Sequence, residues 1–205
     1  MRLRVRAGRV PRRGRRALFA QCLAVTLVMG GGLTACGLTQ DAGKAADLGE
    51  WFTVTSAAFR DGAQIPTRFG CSTYSGGGQG KTPPLHWSGS PPSPTTQAYA
   101  IVVDDPDAPN GSYVHWVIAN IDGTTADLIE GAHPEGAVEA INTSGKSTYQ
   151  PPCPPKRQVH RYRFTVYALS ERLPLQEGAE LNDALNQIAK HTIARGRLTG
   201  TFGVK

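Results

Sequence analysis

From Trp51 to near its end, the chain consists of short apolar or alternating runs separated by turn-forming residues. Val, Ile, Phe, Tyr and Thr dominate these runs, and clusters of Gly, Pro, Asn and Asp bound them, as is typical of β-strands. The pattern predicts strands at 52–59, 85–87, 98–103, 113–121 and 162–168. The 15 prolines and 24 glycines of the chain fit a sheet protein with elaborate loops.

One segment near the end has a helical pattern instead. Residues 179–195 place apolar or small side chains on one face of an amphipathic helix, which we expect to pack on the sheet. The residues on this face are Leu181, Leu185, Ile188, Ala189 and Thr192. Together, the strands and the helix predict a mainly β domain.

The first 35 residues follow a different pattern, with a basic start, an apolar run over 17–33 and then Leu33-Thr34-Ala35-Cys36. This order indicates a signal peptide whose cleavage site resembles a bacterial lipobox. We therefore predict a signal peptide at 1–35, an acylated Cys36 (a palmitate-type lipid), a tether at 36–50 and a folded domain at 51–205. The alternative is an uncleaved membrane anchor, although the apolar run is only about 17 residues long and contains three glycines.

The positive charge of the chain belongs to the leader. All eight basic residues of the leader are arginines and it has no acidic residue, so 14 of the 22 Lys and Arg remain against 16 Asp and Glu. The net charge changes from +6 to about −2. Nothing in the remainder resembles a basic patch for nucleic acid, and we expect no nucleic-acid partner. The predicted location is the outer side of the cytoplasmic membrane, with Cys36 as the attachment to it.

Two cysteines, Cys71 and Cys153, lie in the predicted domain. Outside the cytoplasmic membrane such a pair favours a disulfide, and closing a loop of roughly 80 residues stabilises a fold by about 4 kcal/mol. Two separate thiols are the alternative. The spacing does not indicate a metal site, and no cofactor motif is present.

Two polar patches stand at the ends of apolar runs. In extended backbone, Asp105 and Asp107 would point the same way, and His115 starts the next predicted strand. His160 and Tyr162, two residues apart, would share one face of a strand. Carboxylates beside an imidazole favour its protonated form, so the residues predict a small pocket that binds an anion through protonated His115.

These residues also resemble a known family. Asp105-Pro106-Asp107-Ala108-Pro109, His115-Trp116 with Asn120, Cys153-Pro154-Pro155, and His160-Arg161-Tyr162 are similar, in this order, to the phosphatidylethanolamine-binding protein family, above all to its bacterial branch. The resemblance covers about residues 51–202.

The family resemblance implies a β-sandwich-like domain with a large antiparallel sheet, a smaller sheet and a C-terminal helix. It also implies a cavity for phosphate, acetate or a phospholipid head group, with residues 152–155 as its rim. Transferred to this chain, the ligand-binding residues would be Asp105, Asp107, Pro109, His115, Pro152, His160 and Tyr162. One departure is Gln150-Pro151-Pro152, where relatives often have Gly before the first proline; it changes the mouth of the cavity.

Three functions remain open from the sequence. The first is a lipid-anchored envelope protein that binds an anion or phospholipid head group. The second is an envelope protein-interaction or protease-inhibitor module. The third is an unrecognised hydrolase with His115 as its base, although the sequence has no Gly-x-Ser-x-Gly or His-Glu-x-x-His motif.

Overall fold

The structure of the protein, a computed structural model, describes residues 51–91 and 94–204. The predicted signal peptide, Cys36 and the tether lie outside the described residues. Eight strands, one 3₁₀ helix and one α-helix make up the fold. They are β1 (Trp51–Thr55), the 3₁₀ helix (Thr67–Phe69), β2 (Leu85–Ser88), β3 (Ala98–Asp105), β4 (Tyr113–Asp122), β5 (Asp127–Leu128), β6 (Val138–Glu139), β7 (Val159–Leu169), α1 (Leu181–His191) and β8 (Thr192–Gly203).

The strands form a curled mixed sheet in the order β5-β2-β1-β8-β7-β3-β4-β6. Strand β1 connects a larger and a smaller part of this sheet. Phe52 pairs in parallel with Gly196 of β8, whereas Val54 pairs antiparallel with Trp87 of β2. The prediction of a mainly β fold with a large sheet, a smaller sheet and a helix is confirmed.

Two hydrophobic cores lie on the two faces of the large part of the sheet. On one face, Trp87 and Leu128 from the smaller part pack with Ile101, Trp116 and Phe164 from the larger part. On the other face, α1 covers small and apolar residues of β3 and β4, with Ala184 and Ile188 buried. The helix therefore packs on the sheet as predicted, through Leu181, Leu185 and Ile188 of the predicted face. Ala189 is exposed instead, and Thr192 belongs to β8.

The predicted helix is too long at both ends. Its last residues belong to β8, a 12-residue strand that the pattern does not predict. Glycines hide its alternation, because they occupy inward positions where a side chain has no room. A Cβ at Gly196 would lie 2.4 Å from the Phe52 carbonyl oxygen, and one at Gly200 would lie 2.5 Å from Cγ1 of Ile65.

Other strand ends also differ from the prediction. Strand β1 ends at Thr55 instead of continuing to Phe59, whose ring is nevertheless buried in the core. The two-residue strands β5 and β6 are too short to give a sequence pattern. In the described part of the chain, no helix has both the length and the apolar character needed to cross a membrane.

The pairing of β3 with β4 has two irregularities, of which the first lies at the site. Val103 pairs with Trp116 and Asp104 pairs with Val114, so β4 has an extra residue, His115. Such a β-bulge redirects a side chain. A second bulge contains Asn120, which has a φ of 63°, and its side-chain amide makes two hydrogen bonds with the backbone of Leu173.

Candidate ligand-binding cavity

A cavity of about 260 Å³ lies where β3 ends and where β4 and β7 begin. These three ends lie at one edge because β3 is antiparallel to both neighbours. Five of the predicted ligand-binding residues line the cavity, and Asp107 and Pro152 do not. The lining residues are Asp105, Ala108, Pro109, Tyr113, His115, Gln150, Cys153, Pro154, Pro155, His160 and Tyr162.

His115 is held as a neutral imidazole with a defined tautomer. Its Nδ1 lies 2.8 Å from the carbonyl oxygen of Gln150, and a carbonyl only accepts, so Nδ1 donates. Burial lowers the pKa of His115 and outweighs this hydrogen bond and the Asp105 charge, which raise it. The expectation of a protonated His115 is therefore wrong for the empty cavity. Its Nε2 has no hydrogen-bond partner among the described residues and is left as an acceptor.

Asp105 and His160, which also line the cavity, form a buried pair. Nδ1 of His160 lies 2.7 Å from Oδ2 of Asp105, and the two side chains are 5 % and 6 % exposed. Nε2 of His160 lies 2.9 Å from Oε1 of Gln158. The other carboxylate oxygen of Asp105 accepts the backbone N–H of Asp107 at 2.8 Å. These contacts fix the carboxylate against the His160 ring.

Tyr162 supplies the unpaired polar atom of the cavity. The residue is fully buried, and its hydroxyl makes no hydrogen bond of standard geometry with the described residues, although the Asp105 carboxylate and the Cys153 backbone lie close enough to affect its pKa. Burial is the main cause that raises its pKa, and the nearby Asp105 charge adds to the effect. The phenol thus remains protonated and can donate. A buried hydroxyl without a partner is costly, so this atom favours a bound group in the cavity.

Asp107 lies in a different place from the one predicted. Strand β3 ends at Asp105, and the chain then turns, so the alternation of an extended strand no longer applies. The Asp107 carboxylate accepts hydrogen bonds from the backbone N–H, Nε and Nη2 of Arg161 at 2.9, 2.9 and 2.6 Å. These contacts lower the pKa of Asp107 to about 2. Asp107 therefore fixes the turn that contains Ala108 and Pro109, both of which line the cavity.

The rim is attached to the rest of the domain at several points. A disulfide joins Cys71 to Cys153, with their Cα atoms 5.4 Å apart. The Pro152 carbonyl accepts the N–H of Cys71 at 2.9 Å, and the Tyr74 hydroxyl donates to the Pro154 carbonyl at 3.2 Å. Pro152 is thus buried behind the rim and anchors it, while Cys153 and Pro154 face the cavity.

Three wall residues were not predicted from the sequence, namely Ala108, Tyr113 and Gln150. The Tyr113 hydroxyl donates to Oε1 of Gln150 at 2.9 Å, and the Gln150 backbone N–H donates to the His115 carbonyl at 3.0 Å. Tyr113 could have been found, since it begins the strand that carries His115. Gln150 had no signal except its departure from the family pattern.

The cavity combines one carboxylate, a neutral imidazole acceptor and a phenol donor, and it has no Lys or Arg in its described lining. Within the described residues, no three His, Cys, Asp or Glu side chains are arranged to hold a metal ion. Such a site suits a small ligand that both accepts and donates hydrogen bonds, or an anion that brings a proton with it.

Most of the chain matches the sequence model of a known protein family. The sequence model of the family described as phosphatidylethanolamine-binding protein matches residues 55–203, which include all eleven wall residues. The chain belongs to the phosphatidylethanolamine-binding protein family. The match begins at Thr55, the last residue of β1, and ends at Gly203, the last residue of β8, so it includes all of the other strands.

Relatives within and around this family are similar over most of the chain. The protein is 40% identical to LppC of Mycobacterium tuberculosis, named as a candidate lipoprotein, over 80% of this chain and 78% of LppC. It is 39% identical to the UPF0098 protein of Methanothermobacter thermautotrophicus, over 71% of this chain and 94% of that protein. The crystal structure of E. coli YbcL, described as a new member of the mammalian PEBP family, matches with a TM-score of 0.69 and 31% identity over 76% of this chain and 100% of YbcL.

Proposed function

We propose that the protein is an envelope lipoprotein, attached to the outside of the cytoplasmic membrane through a lipid on Cys36, whose cavity binds a small phosphate-type group such as a phospholipid head group. In this proposal residues 1–35 are a cleaved signal peptide and residues 36–50 a tether. The lipoprotein motif of the sequence and the similarity to LppC support the attachment. Membership of the family supports the class of ligand.

The unpartnered Tyr162 hydroxyl is the observation that carries the ligand proposal. Tyr162 lines the same cavity as His115, whose Nε2 makes no hydrogen bond with the described part of the chain. A monoprotonated phosphate would satisfy both atoms, because it accepts from the phenol and donates to the imidazole. No serine, threonine or free cysteine is present in the described lining, so a hydrolase that works through a hydroxyl or thiol of these three residue types has no candidate nucleophile there.

Calorimetric titration of residues 37–205 with phosphate, phosphorylethanolamine and acetate tests the proposal. We expect saturable binding that is lost in His115→Ala and reduced in Tyr162→Phe. The matched control is His86→Ala, because His86 is exposed and lies away from the cavity, paired with Asp127. Folded protein that binds none of the three ligands, or binds them equally well in His115→Ala, would contradict the proposal.

A further inference from the structure

A second cavity, of about 480 Å³, lies beside the rim of the first. Cys153 and Pro154 line both cavities, whereas Asp105 and His115 line only the first. The volume of the second cavity lies in the range that is usual for sites of small organic molecules. This cavity is therefore large enough to hold a ligand of its own.

Exposed apolar side chains lie together at this end of the domain. In the described ranges three large apolar side chains are well exposed, and two of them are Val159 (39 %) and Val204 (60 %). They are close because Val159 of β7 pairs with Gly203 of β8, the residue before Val204. Val204 lines the second cavity and also a third, of about 380 Å³, whose wall contains Val159. Adjoining exposed apolar side chains mark binding surfaces more often than single ones do, so these two cavities form one candidate groove.

Two cations lie at one end of this groove. Lys156 and Arg157 line the second cavity and are exposed, and neither makes an ion pair or a side-chain hydrogen bond with a described residue. No Asp or Glu is among the described residues that line either cavity of the groove. The positive charge is not neutralised within the groove, and it attracts an anionic group.

The backbone fixes the position of both cations. They follow Pro154 and Pro155, and a hydrogen bond of 3.1 Å from the Gln158 N–H to the Pro155 carbonyl closes the turn that contains them. Arg157 has a φ of 64°, a left-handed value like that of the third residue in a type II turn. The disulfide of Cys153 attaches this segment to the rest of the domain. A turn that is already fixed lowers the entropy cost of binding a ligand.

The wall beside the cations is apolar and well ordered. The Tyr74 ring packs edge to face against Phe202, with ring centroids 4.8 Å apart, and the Tyr74 hydroxyl donates to the Pro154 carbonyl at 3.2 Å. The Tyr74 side chain is therefore held at its ring and at its hydroxyl. Together with Pro154 and Val204, it gives the second cavity a hydrocarbon surface. A ligand with a charge at one end and hydrocarbon behind it matches this wall better than a free inorganic ion does.

We propose that the groove is a second binding site, for an amphiphile with one carboxylate and a straight alkyl chain, such as a fatty acid. The carboxylate pairs with Lys156 and Arg157, because a guanidinium matches the two oxygens of a carboxylate. The alkyl chain lies along Tyr74 and Val204 towards Val159. This site is separate from the first cavity, and it does not depend on the ligand that is bound there.

Calorimetric titration of residues 37–205, which contain every described residue, tests the site with two probes. Octanoate carries both the charge and the chain, and 1-octanol carries the chain alone. The test variant is Lys156→Gln with Arg157→Asn, because Asn tolerates the left-handed backbone while removing the charge. The matched control, Arg60→Gln with Lys190→Gln, removes two exposed cations elsewhere.

In the wild type we expect octanoate to bind on the order of tenfold more tightly than 1-octanol, as two charge-assisted contacts predict. The test variant should bind the two probes within about twofold of each other, and the control variant should keep the difference. Val204→Ser should weaken octanoate binding roughly threefold, because it removes apolar contact with the chain. Equal affinity of the wild type for octanoate and 1-octanol, or no binding of octanoate, would overturn the inference and leave the proposed function as it is.

His115→Ala separates this site from the proposed function, because it removes the imidazole of the first cavity alone. Octanoate affinity that changes by less than about twofold in this variant supports the inference, whether or not phosphate binds to the wild type. Loss of octanoate binding in folded His115→Ala would instead place the carboxylate in the first cavity. That result would overturn the inference and support the proposed function.

Discussion

Anion binding in the first cavity should take up a proton at His115. Burial keeps this imidazole neutral, and its Nδ1 proton is already donated to the Gln150 carbonyl. A second proton can therefore be placed only on Nε2, which has no partner among the described residues and belongs to a cavity-lining side chain. An anion beside Nε2 would favour the imidazolium and raise the pKa of His115 in the complex.

The linkage between proton uptake and anion binding gives the sign and size of the pH dependence of the affinity. Between the lowered pKa of the empty state, which lies below 6.5, and the raised pKa of the complex, binding is accompanied by uptake of up to one proton. The dissociation constant should then fall by up to about tenfold for each unit of decrease in pH within this window. Outside it, the affinity should no longer depend on pH through this residue.

Sulfate is the appropriate ligand, because its charge is constant over this range. Isothermal titration at pH 6.0, 7.0 and 8.0, in two buffers of different ionisation enthalpy, gives both the slope and the number of protons taken up. The control is His115→Gln, which removes the titrating group and leaves Asp105, His160 and Tyr162 in place. A wild-type affinity that is independent of pH, or an equal slope in the variant, would refute the reasoning.

Three further changes separate stability from binding. Cys71→Ser with Cys153→Ser should lower the free energy of unfolding by about 4 kcal/mol in urea denaturation, because the disulfide joins residues 82 positions apart; a loss below about 1 kcal/mol would contradict this. Gly200→Ala places a Cβ 2.5 Å from Ile65 Cγ1 and should cost roughly 1–3 kcal/mol, so an unchanged thermal midpoint would show that the core relaxes. Tyr162→Phe removes an unpartnered hydroxyl, so the unfolding free energy should change by less than about 1 kcal/mol while phosphate affinity falls roughly fivefold; equal affinity in calorimetry would show that the phenol does not contact the ligand.

Most of the sheet could be predicted from the sequence, because β3, β4 and β7 are long and rich in β-branched and aromatic residues. Strand β8 could not, since glycines replace the apolar residues of the expected alternation. Glycines are needed there because of tertiary packing. The backbone of β1 and the side chain of Ile65 occupy the space that side chains at Gly196 and Gly200 would need.

The sequence predicted which residues form the candidate site better than it predicted their protonation states. The order of motifs identified Asp105, His115, His160 and Tyr162, which all line the cavity. The same reasoning placed Asp107 beside them, because it extended the strand past its real end. Burial also could not be derived from the sequence, and it is burial that makes His115 neutral.

Because His115 is neutral and Asp107 lies outside the cavity, the attraction of an anion needs another source. In the first cavity His115 is neutral, Asp105 and His160 are paired with each other, and no Lys or Arg is among the described lining residues, so no unpaired positive charge is left to attract a fully ionised anion. The attraction must come from a proton taken up with the ligand, from the cations beyond the rim at Lys156 and Arg157, or from both. The two sources differ in pH dependence, since the guanidinium and ammonium keep their charge between pH 6 and 8 while the imidazole does not. A ligand attracted by proton uptake at His115 should therefore bind with a strong pH dependence and little dependence on salt, and a ligand attracted by Lys156 and Arg157 should show the opposite balance.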